Sequence, residues 1–406
     1  MKTADPELMR AINRFHVMDV IRRYGPISRV EICERLQLSP TTVSAITGAL
    51  IDDALIMPRQ EGAVRDPARG RPRVMLELNP EAAFVVGVKL APDQITVAVT
   101  NFRADILESL TLPIRIDRQP IPVIADLVED GVRRCVADAD LPMARIAGLC
   151  LGLPGLIVQS AGLCRQSPLF GERDVAFGPA LSERLGIPVL LDTDVNLVTL
   201  AEHWFGHGRG LDDFMVVSIE HSLGLGIMHR GEIFRGASGL SPDLGDLLVQ
   251  QHDAERAGIE RLSAVASGAA IAAKLHDRLR RDGEGAPPSL RRLMARLRER
   301  VEGGDREAAT VAAAAGEALG FAVANLVALF APPRVILAGT VLEGGEALLR
   351  PLRETIPRLT PPGLGDIAEI VVQGWEETTW ARGAAAMMLR ELYGSPWGTT
   401  GPAERR

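Results

Sequence analysis

The sequence predicts an α/β chain in two parts. An N-terminal winged helix-turn-helix over residues 1–79 is followed by a larger two-lobed α/β body. Three observations carry this: three helical stretches, the second and third capped, followed by two short strand runs, a strand–strand–strand–helix–strand–helix pattern that occurs twice after residue 80, and the cationic Gly-Pro segment Arg69-Gly70-Arg71-Pro72-Arg73 between them. A chain of 406 residues exceeds one ordinary core, and 47% apolar with 24% charged residues is a globular composition.

Apolar residues at Ile12, Phe15, Val17, Val20 and Ile21 predict a helix over Arg10 to Tyr24, ended by Gly25-Pro26. Ser28 with Glu31 three residues later is a capping box for a second helix. Ser39 caps a third, with Pro40 at its first position and Val43, Ile46, Leu50 and Ile51 facing inward. The outward face of that helix then carries Thr41, Thr42, Ser44, Ala45 and Thr47. Such short side chains let a helix approach phosphates and base edges, as a DNA-reading helix must. Leu55-Ile56 and Val74 to Leu78 read as the strands of a wing.

Charge is divided unevenly. Residues 1–79 hold 12 Lys/Arg against 10 Asp/Glu, while the whole chain has a net charge of -7. An acidic body would repel DNA and leave the N-terminal end to dock. By itself the Arg69–Arg73 segment reads as a solvated tether. Beside a winged helix, Arg69, Arg71 and Arg73 are expected to enter an A/T-rich minor groove. A small helical interaction module of the same shape is the alternative for the whole N-terminal part.

In the body, Phe84–Val88, Ile95–Val99 and Ile106–Leu107 read as a strand meander, followed by a helix around Ile121 to Ala137. Ile146–Leu151 and Pro188–Leu191 are further strands, the second running into a helix from Asp194 to about Phe205. Asp213–Ile219 opens a second set, with a long Ala-rich helix from Ala308 to Phe330 and a strand at Arg334–Leu337. The apolar stretch Ala318–Ala331 carries Asn325 and reads as a buried helix rather than a membrane span. Asp5, Glu7, Arg10 and Arg14 interrupt any N-terminal signal core, so a cytoplasmic protein with no membrane association is expected. Cys33, Cys135, Cys150 and Cys164 form no C-x-x-C pair, so buried free thiols are expected.

The body resembles the ROK family (repressors, open reading frames, kinases) of the actin-like sugar kinase superfamily. The matching pieces are Gly152-Leu153-Pro154-Gly155, Gly186-Ile187-Pro188-Val189, Asp194-Val195-Asn196 running into Ala201–Gly206, Gly224-Leu225-Gly226, Gly231 to Gly239, and Asn325 ahead of Pro332 to Gly339. The winged helix with Arg-Gly-Arg-Pro resembles the family's repressor branch. The resemblance implies a two-lobed actin-like body: a first lobe over 80–200 completed by a C-terminal helix at about 380–393, a second lobe over 201–379, and a tail at 394–406.

The chain departs from the family's kinase pattern. The first phosphate loop, near Asp-x-Gly-Gly-Thr in kinases, is Lys89-Leu90-Ala91-Pro92-Asp93, and the second is Glu220-His221-Ser222-Leu223-Gly224-Leu225-Gly226. Both glycines of the first are lost, Pro92 removes a backbone donor, and Asp93 and Glu220 bring repelling charge. Asp194 matches the catalytic base, but a base without a phosphate cradle fits a hydrogen-bond acceptor, so no enzyme activity is expected. The zinc motif is replaced by Asp243-Leu244-Gly245-Asp246 and a segment without cysteine, so no metal and no cofactor are expected. The sugar-contacting Pro-Asn appears as Pro168-Leu169, the Asn before the base as Thr193, and the Glu ending the zinc motif as Ser263.

The resulting expectation is a transcriptional regulator, most often a repressor in this family, acting on carbohydrate genes. Ser39, Thr41, Thr42, Ser44, Ala45 and the three arginines meet double-stranded DNA, with a pseudo-palindromic operator for a homodimer or tetramer. A small carbohydrate-like effector would sit against Asp194, Asn196, Gly236, Asp243 and Asp246, since carboxylates accept hydrogen bonds from vicinal diols. Asp243 and Asp246 serving only to cap or solvate a loop is the plain alternative. An ATP-dependent sugar kinase and an effector-free DNA-binding scaffold are the rival functions.

Overall fold

The computed structural model describes residues 6–59, 74–117, 119–253, 256–279, 289–364, 368–374 and 379–393. The chain starts with helix α1 (Pro6–Tyr24), a short strand β1 (Ile27–Ser28), α2 (Arg29–Leu36) and α3 (Pro40–Asp52). Strands β2 (Ile56–Pro58) and β3 (Met75–Leu78) pair antiparallel, Ile56 opposite Leu78, and β1 adds to the other edge of β3. The helix starts follow local chemistry. Ser28 and Glu31 form the reciprocal capping box, and the Ser39 hydroxyl accepts the Thr42 N–H ahead of Pro40 at the first turn. Val17, Ile21, Ile32, Val43, Leu50, Ile56 and Leu76 close the core of this part. The segment that would join β2 to β3, with Arg69, Arg71 and Arg73, lies outside the described residues.

The body holds two five-stranded sheets of one design. In the first, β4 (Phe84–Ala91), β5 (Gln94–Thr100) and β6 (Ile106–Leu112) form an antiparallel meander. Strands β7 (Ile146–Leu153) and β10 (Val189–Thr193) then add parallel to β4 in the order β10-β7-β4-β5-β6. Between them lie α4 (Ile121–Asp138), the hairpin β8 (Leu156–Val158) and β9 (Leu163–Gln166), and α5 (Phe177–Leu185).

The second sheet repeats the plan. Strands β11 (Phe214–Ile219), β12 (Leu223–His229) and β13 (Glu232–Ile233) form the meander, and β16 (Arg334–Ala338) and β17 (Glu369–Val372) extend it in parallel. Its insertions are the hairpin β14 (Leu248–Asp253) and β15 (Arg256–Arg261), and helices α7 (Leu262–Ala266), α8 (Gly268–Leu279), α9 (Leu290–Glu302), α10 (Arg306–Phe330) and α11 (Glu346–Leu359).

Two helices fill the space between the sheets: α6 (Asp194–Phe205) and the C-terminal α12 (Thr379–Leu392). Val195, Val198, Leu200 and Trp204 of α6 share one core with Val85 and Cys150 of the first sheet and Phe214, Val216 and Ile336 of the second. The expected lobe boundary at residue 200 therefore falls inside a helix that packs on both sheets. Gly383 makes this possible, because a Cβ there would lie 2.5 Å from the Leu197 carbonyl carbon. Helix α10 is long and apolar enough to cross a membrane by length and composition, and half of its most apolar window is buried inside the protein. There Gly320 leaves room for Thr355 and Leu352 of α11, while Leu329 and Phe330 at its end stay exposed. All four cysteines are free, and burial pushes the Cys135 and Cys164 thiols up to about 11, which keeps them as inert packing groups.

Helix α1 docks on the end of α6. The Arg22 guanidinium lies 3.9 Å over the Trp204 ring, and the other side of that indole stacks on Tyr393. Asp19 pairs with Arg22 and Arg23, each at 2.6 Å, and Arg23 Nη2 reaches His203 Nε2 at 3.4 Å. Burial first, then Arg23 and Arg22, hold the His203 imidazole down at about 3, against the pull of Asp19. The unfolded chain takes up this proton below about pH 6.5 and the folded chain only near 3. The neutral histidine's contribution is thus complete above pH 6.5 and is lost as pH falls, by about 3 kcal/mol at pH 4. Urea denaturation between pH 7 and 4 checks this, and His203→Gln is expected to flatten much of the slope.

Candidate functional sites

On α3, Thr41, Ser44 and Ala45 are exposed and Thr42 is half-buried, so four of the expected reading residues share one outward surface. Ser39 is exposed too, but its hydroxyl accepts the Thr42 N–H at 3.1 Å and sits 2.8 Å from Thr42 Oγ1, so it serves first as the cap. Thr47 corrects the sequence reading: it is fully buried, one turn beyond Val43 on the inner face. Its hydroxyl donates to the Val43 carbonyl and accepts from Arg29 Nε, each at 2.8 Å, which fixes α2 on α3.

The sequence reading missed the contribution of α1. Arg10, Asn13 and Arg14 line a hollow of about 510 Å³ together with Thr41, Thr42, Ala45, Ile46 and Ala49. Arg14 is tied to Asp53 at 2.7 Å, which leaves Arg10 and Asn13 as the outward polar groups of that rim. Their signal was the i, i+3 spacing of polar side chains off the apolar face of α1, which only packing could set beside α3.

A second cavity, of about 260 Å³, opens between the sheets at the carboxyl ends of β7 and β10. Ligands of open α/β sheets bind at such strand ends. Asp194, Asp243 and Asp246 all line it, with Pro168, Thr193, Ser222, Gly224, Ser241 and Ser263. Six sequence segments are thus brought together: residues 154–156 after β7, Pro168, the start of α6, the β11–β12 turn, residues 241–246 and the start of α7. Burial pushes the Asp194 carboxyl up, while nearby Lys89 and the Val195 N–H at 2.9 Å pull it back. Burial and then the neighbouring Asp246 raise Asp243, whose Oδ1 accepts the Gly245 N–H at 2.9 Å. Asp246 is exposed and pairs with Arg261.

Two expected cleft residues are placed elsewhere. Asn196 is fully buried behind the wall, where its Nδ2 donates to Asp192 Oδ1 and to Ser241 Oγ, each at 2.7 Å. The first turn of α6 points its side chain inward, so it orients Ser241 rather than lining the cavity. Gly236 is outside the lining as well: its N–H donates to the Leu240 carbonyl at 2.8 Å within a turn. The buried Asp192, which accepts from Asn196 and the Thr193 N–H and pairs with Arg235, was not singled out by the sequence. Its signal was the polar run Asp192 to Asn196 at the end of an apolar strand.

Glu220, just beyond the end of β11, is engaged with the protein. Its Oε1 accepts the Thr340 N–H at 3.0 Å and the Thr340 hydroxyl at 3.1 Å, joining the ends of the adjacent strands β11 and β16. The Glu220 carbonyl accepts the Gly268 N–H at 2.7 Å, so the first turn of α8 is tied to the same point. The Thr340 and Gly268 backbone N–H groups are thus engaged within the protein, by a carboxylate and a carbonyl. Among the described residues, no group of three or more His, Cys, Asp and Glu side chains is arranged to hold a metal ion.

Comparison with known proteins fits this geometry. A xylose repressor of Caldicellulosiruptor bescii is 26% identical and covers 96% of this chain and 98% of its own. A crystal structure of a ROK family transcriptional regulator, a homologue of the E. coli Mlc protein, superposes with a TM-score of 0.76 at 25% identity, over 95% of this chain and 97% of that one. A glucokinase of Thermotoga maritima is 28% identical, over 98% of its own length but 76% of this chain. Residues 85–391 match the ROK family profile, and the chain belongs to the ROK family.

Proposed function

We propose that the chain is a DNA-binding transcriptional repressor of sugar-metabolism genes, controlled by a small carbohydrate-like effector in the interlobe cleft and without kinase turnover. The observation that carries this is the extent of similarity. The xylose repressor and the ROK regulator structure match over 96% and 95% of the chain, N-terminal helices included, whereas the glucokinase is used up after 76%. The Glu220–Thr340 tie supports the loss of kinase chemistry, and the 260 Å³ cavity suits a molecule of monosaccharide size. The reading places the protein in the cytoplasm with its DNA. It pairs two copies on a pseudo-palindromic operator, with Thr41, Thr42, Ser44 and Ala45 in the major groove and Arg69, Arg71 and Arg73 in the minor groove.

Selection of bound duplexes from a random library by the full-length protein tests the DNA reading. One enriched palindromic sequence is expected, and no enrichment would end it. With that operator, Arg10→Ala should weaken binding about equally across sequence variants and reduce the salt slope by about one counterion. The kinase alternative is tested with ATP and a sugar panel. No turnover is expected, and turnover lost in Asp194→Asn would overturn the non-enzymatic reading. Thermal shift against neutral sugars separates an effector-controlled regulator from an effector-free scaffold.

A further inference from the structure

Helix α6 touches both places that a regulated repressor must connect. Its first turn, Asp194 and Val195 with the capping Thr193, lines the cleft. Its last turn, His203 and Trp204, receives α1 of the winged helix. The two ends lie about 15 Å apart at 1.5 Å per residue. Between them the helix is buried from Val195 to Trp204, so it is enclosed as one packed rod. Close packing of that kind passes a displacement on rather than absorbing it.

The far end is built to register such a displacement. Trp204, 6% exposed, is held between the Arg22 guanidinium and the Tyr393 ring, and Tyr393 is anchored by its hydroxyl on the Phe102 carbonyl at 3.1 Å. Arg22 is only 4% exposed and is neutralised by Asp19 within α1. The Arg23 carbonyl accepts from Arg209, just beyond α6, and its guanidinium faces His203. A shift of α6 therefore either carries α1 with it or separates Arg22 from the Trp204 ring and Arg23 from His203.

We propose that α6 is the transmission rod of this repressor, displaced at its first turn by an occupant of the cleft and read at its last turn through Arg22 and Arg23 of α1. The proposal deepens the repressor reading and relies on it only for its DNA arm. The structure supplies a substitute for the unidentified effector. Gly224 lines the cleft, and a Cβ there would lie 2.8 Å from Val195 Cβ and 3.0 Å from its Cγ1. Gly224→Ala is thus a permanent push on the first turn of α6.

The experiment is a double-mutant cycle of Gly224→Ala and Trp204→Ala in the full-length protein. It is read by hydrogen exchange across α1 and by affinity for the duplex the wild type selects. Gly224→Ala is expected to alter exchange in the last two turns of α1 and to change operator affinity by about 5-fold or more. In the Trp204→Ala background its effect on affinity should fall below about 2-fold, whereas Trp204→Phe, which keeps an aromatic face under Arg22, should preserve the coupling. Equal effects of Gly224→Ala in both backgrounds, or unchanged α1 exchange, would overturn the proposal. Arg22→Met replaces Trp204→Ala in the cycle if melting shows that the latter does not fold. If the wild type selects no duplex, the repressor reading fails, and the exchange arm still decides the role of α6.

Discussion

Ala45→Asp is expected to lower operator affinity by about 100-fold while leaving the thermal melt within a degree or two of wild type, about the width of a neutral surface substitution. Ala45 is exposed on α3, on the same rim as Thr41, Thr42 and Arg10 and away from the buried Val43 and Thr47. The helix loses no internal contact when this methyl is replaced. In the proposed complex the same position meets base edges and flanking phosphates, where a carboxylate is repelled and finds donors only in the cytosine and adenine amines. Titration of labelled operator, beside differential scanning fluorimetry of the same preparations, checks both halves. A variant that binds normally would move the reading surface off α3. Ser44→Ala at the neighbouring exposed position should cost far less, since it removes one hydroxyl and introduces no charge.

Trp380→Ala is expected to remove about 3–5 kcal/mol of stability. Trp380 is 1% exposed and is among the largest fully buried side chains. It lies in the first turn of α12 against β4, where Gly87 leaves space: a Cβ there would lie 3.5 Å from Trp380 Cζ3 and 2.9 Å from Ala384 Cβ. The position cannot collapse easily, because α12 is held against α6 by the close approach at Gly383. Denaturant unfolding should show a lowered midpoint, and the loss should reach α1, whose core residues belong to the same contiguous cluster as Trp380. The residual cavity also predicts partial rescue by Trp380→Phe.

The two predictions differ in how far the sequence alone supports them. Ala45 was legible because helix caps and turns are local. Ser28 with Glu31, and Ser39 with Pro40, specify where α2 and α3 start within a few bonds, and the starting register decides which side chains face outward. Thr47 was misassigned at the edge of that face, where a hydroxyl is polar by composition but buried by its i, i+4 relation to Val43. In the body, the duplicated sheets were readable from the alternation of apolar runs with helices. The membership of α6 in both sheets was not, since a helix buried on all sides shows no single apolar stripe.

The cleft divides in the same way. Asp194, Asp243 and Asp246 are separated by up to 52 positions, and their motif matches placed them together before any geometry was known. Asn196 and Gly236 carry equally good motif matches, yet one side chain turns behind the wall and the other residue closes a turn. Motifs record the position of a residue in the chain, and a side chain two places further along a helix points about 200° away.

The sequence by itself determined the capped starts of α2 and α3, the order of the three N-terminal helices, the repeated body and the loss of the phosphate-loop glycines, because each depends on residues near one another in the chain. Only the tertiary structure decided what Glu220 does with its carboxylate, that Arg10 and Asn13 share a rim with the outward side chains of α3, and that one helix runs from the cleft to Arg22. Those outcomes depend on which surfaces meet after some 20 to 180 residues of intervening chain have folded, and packing between distant segments is the one quantity that local pattern does not encode.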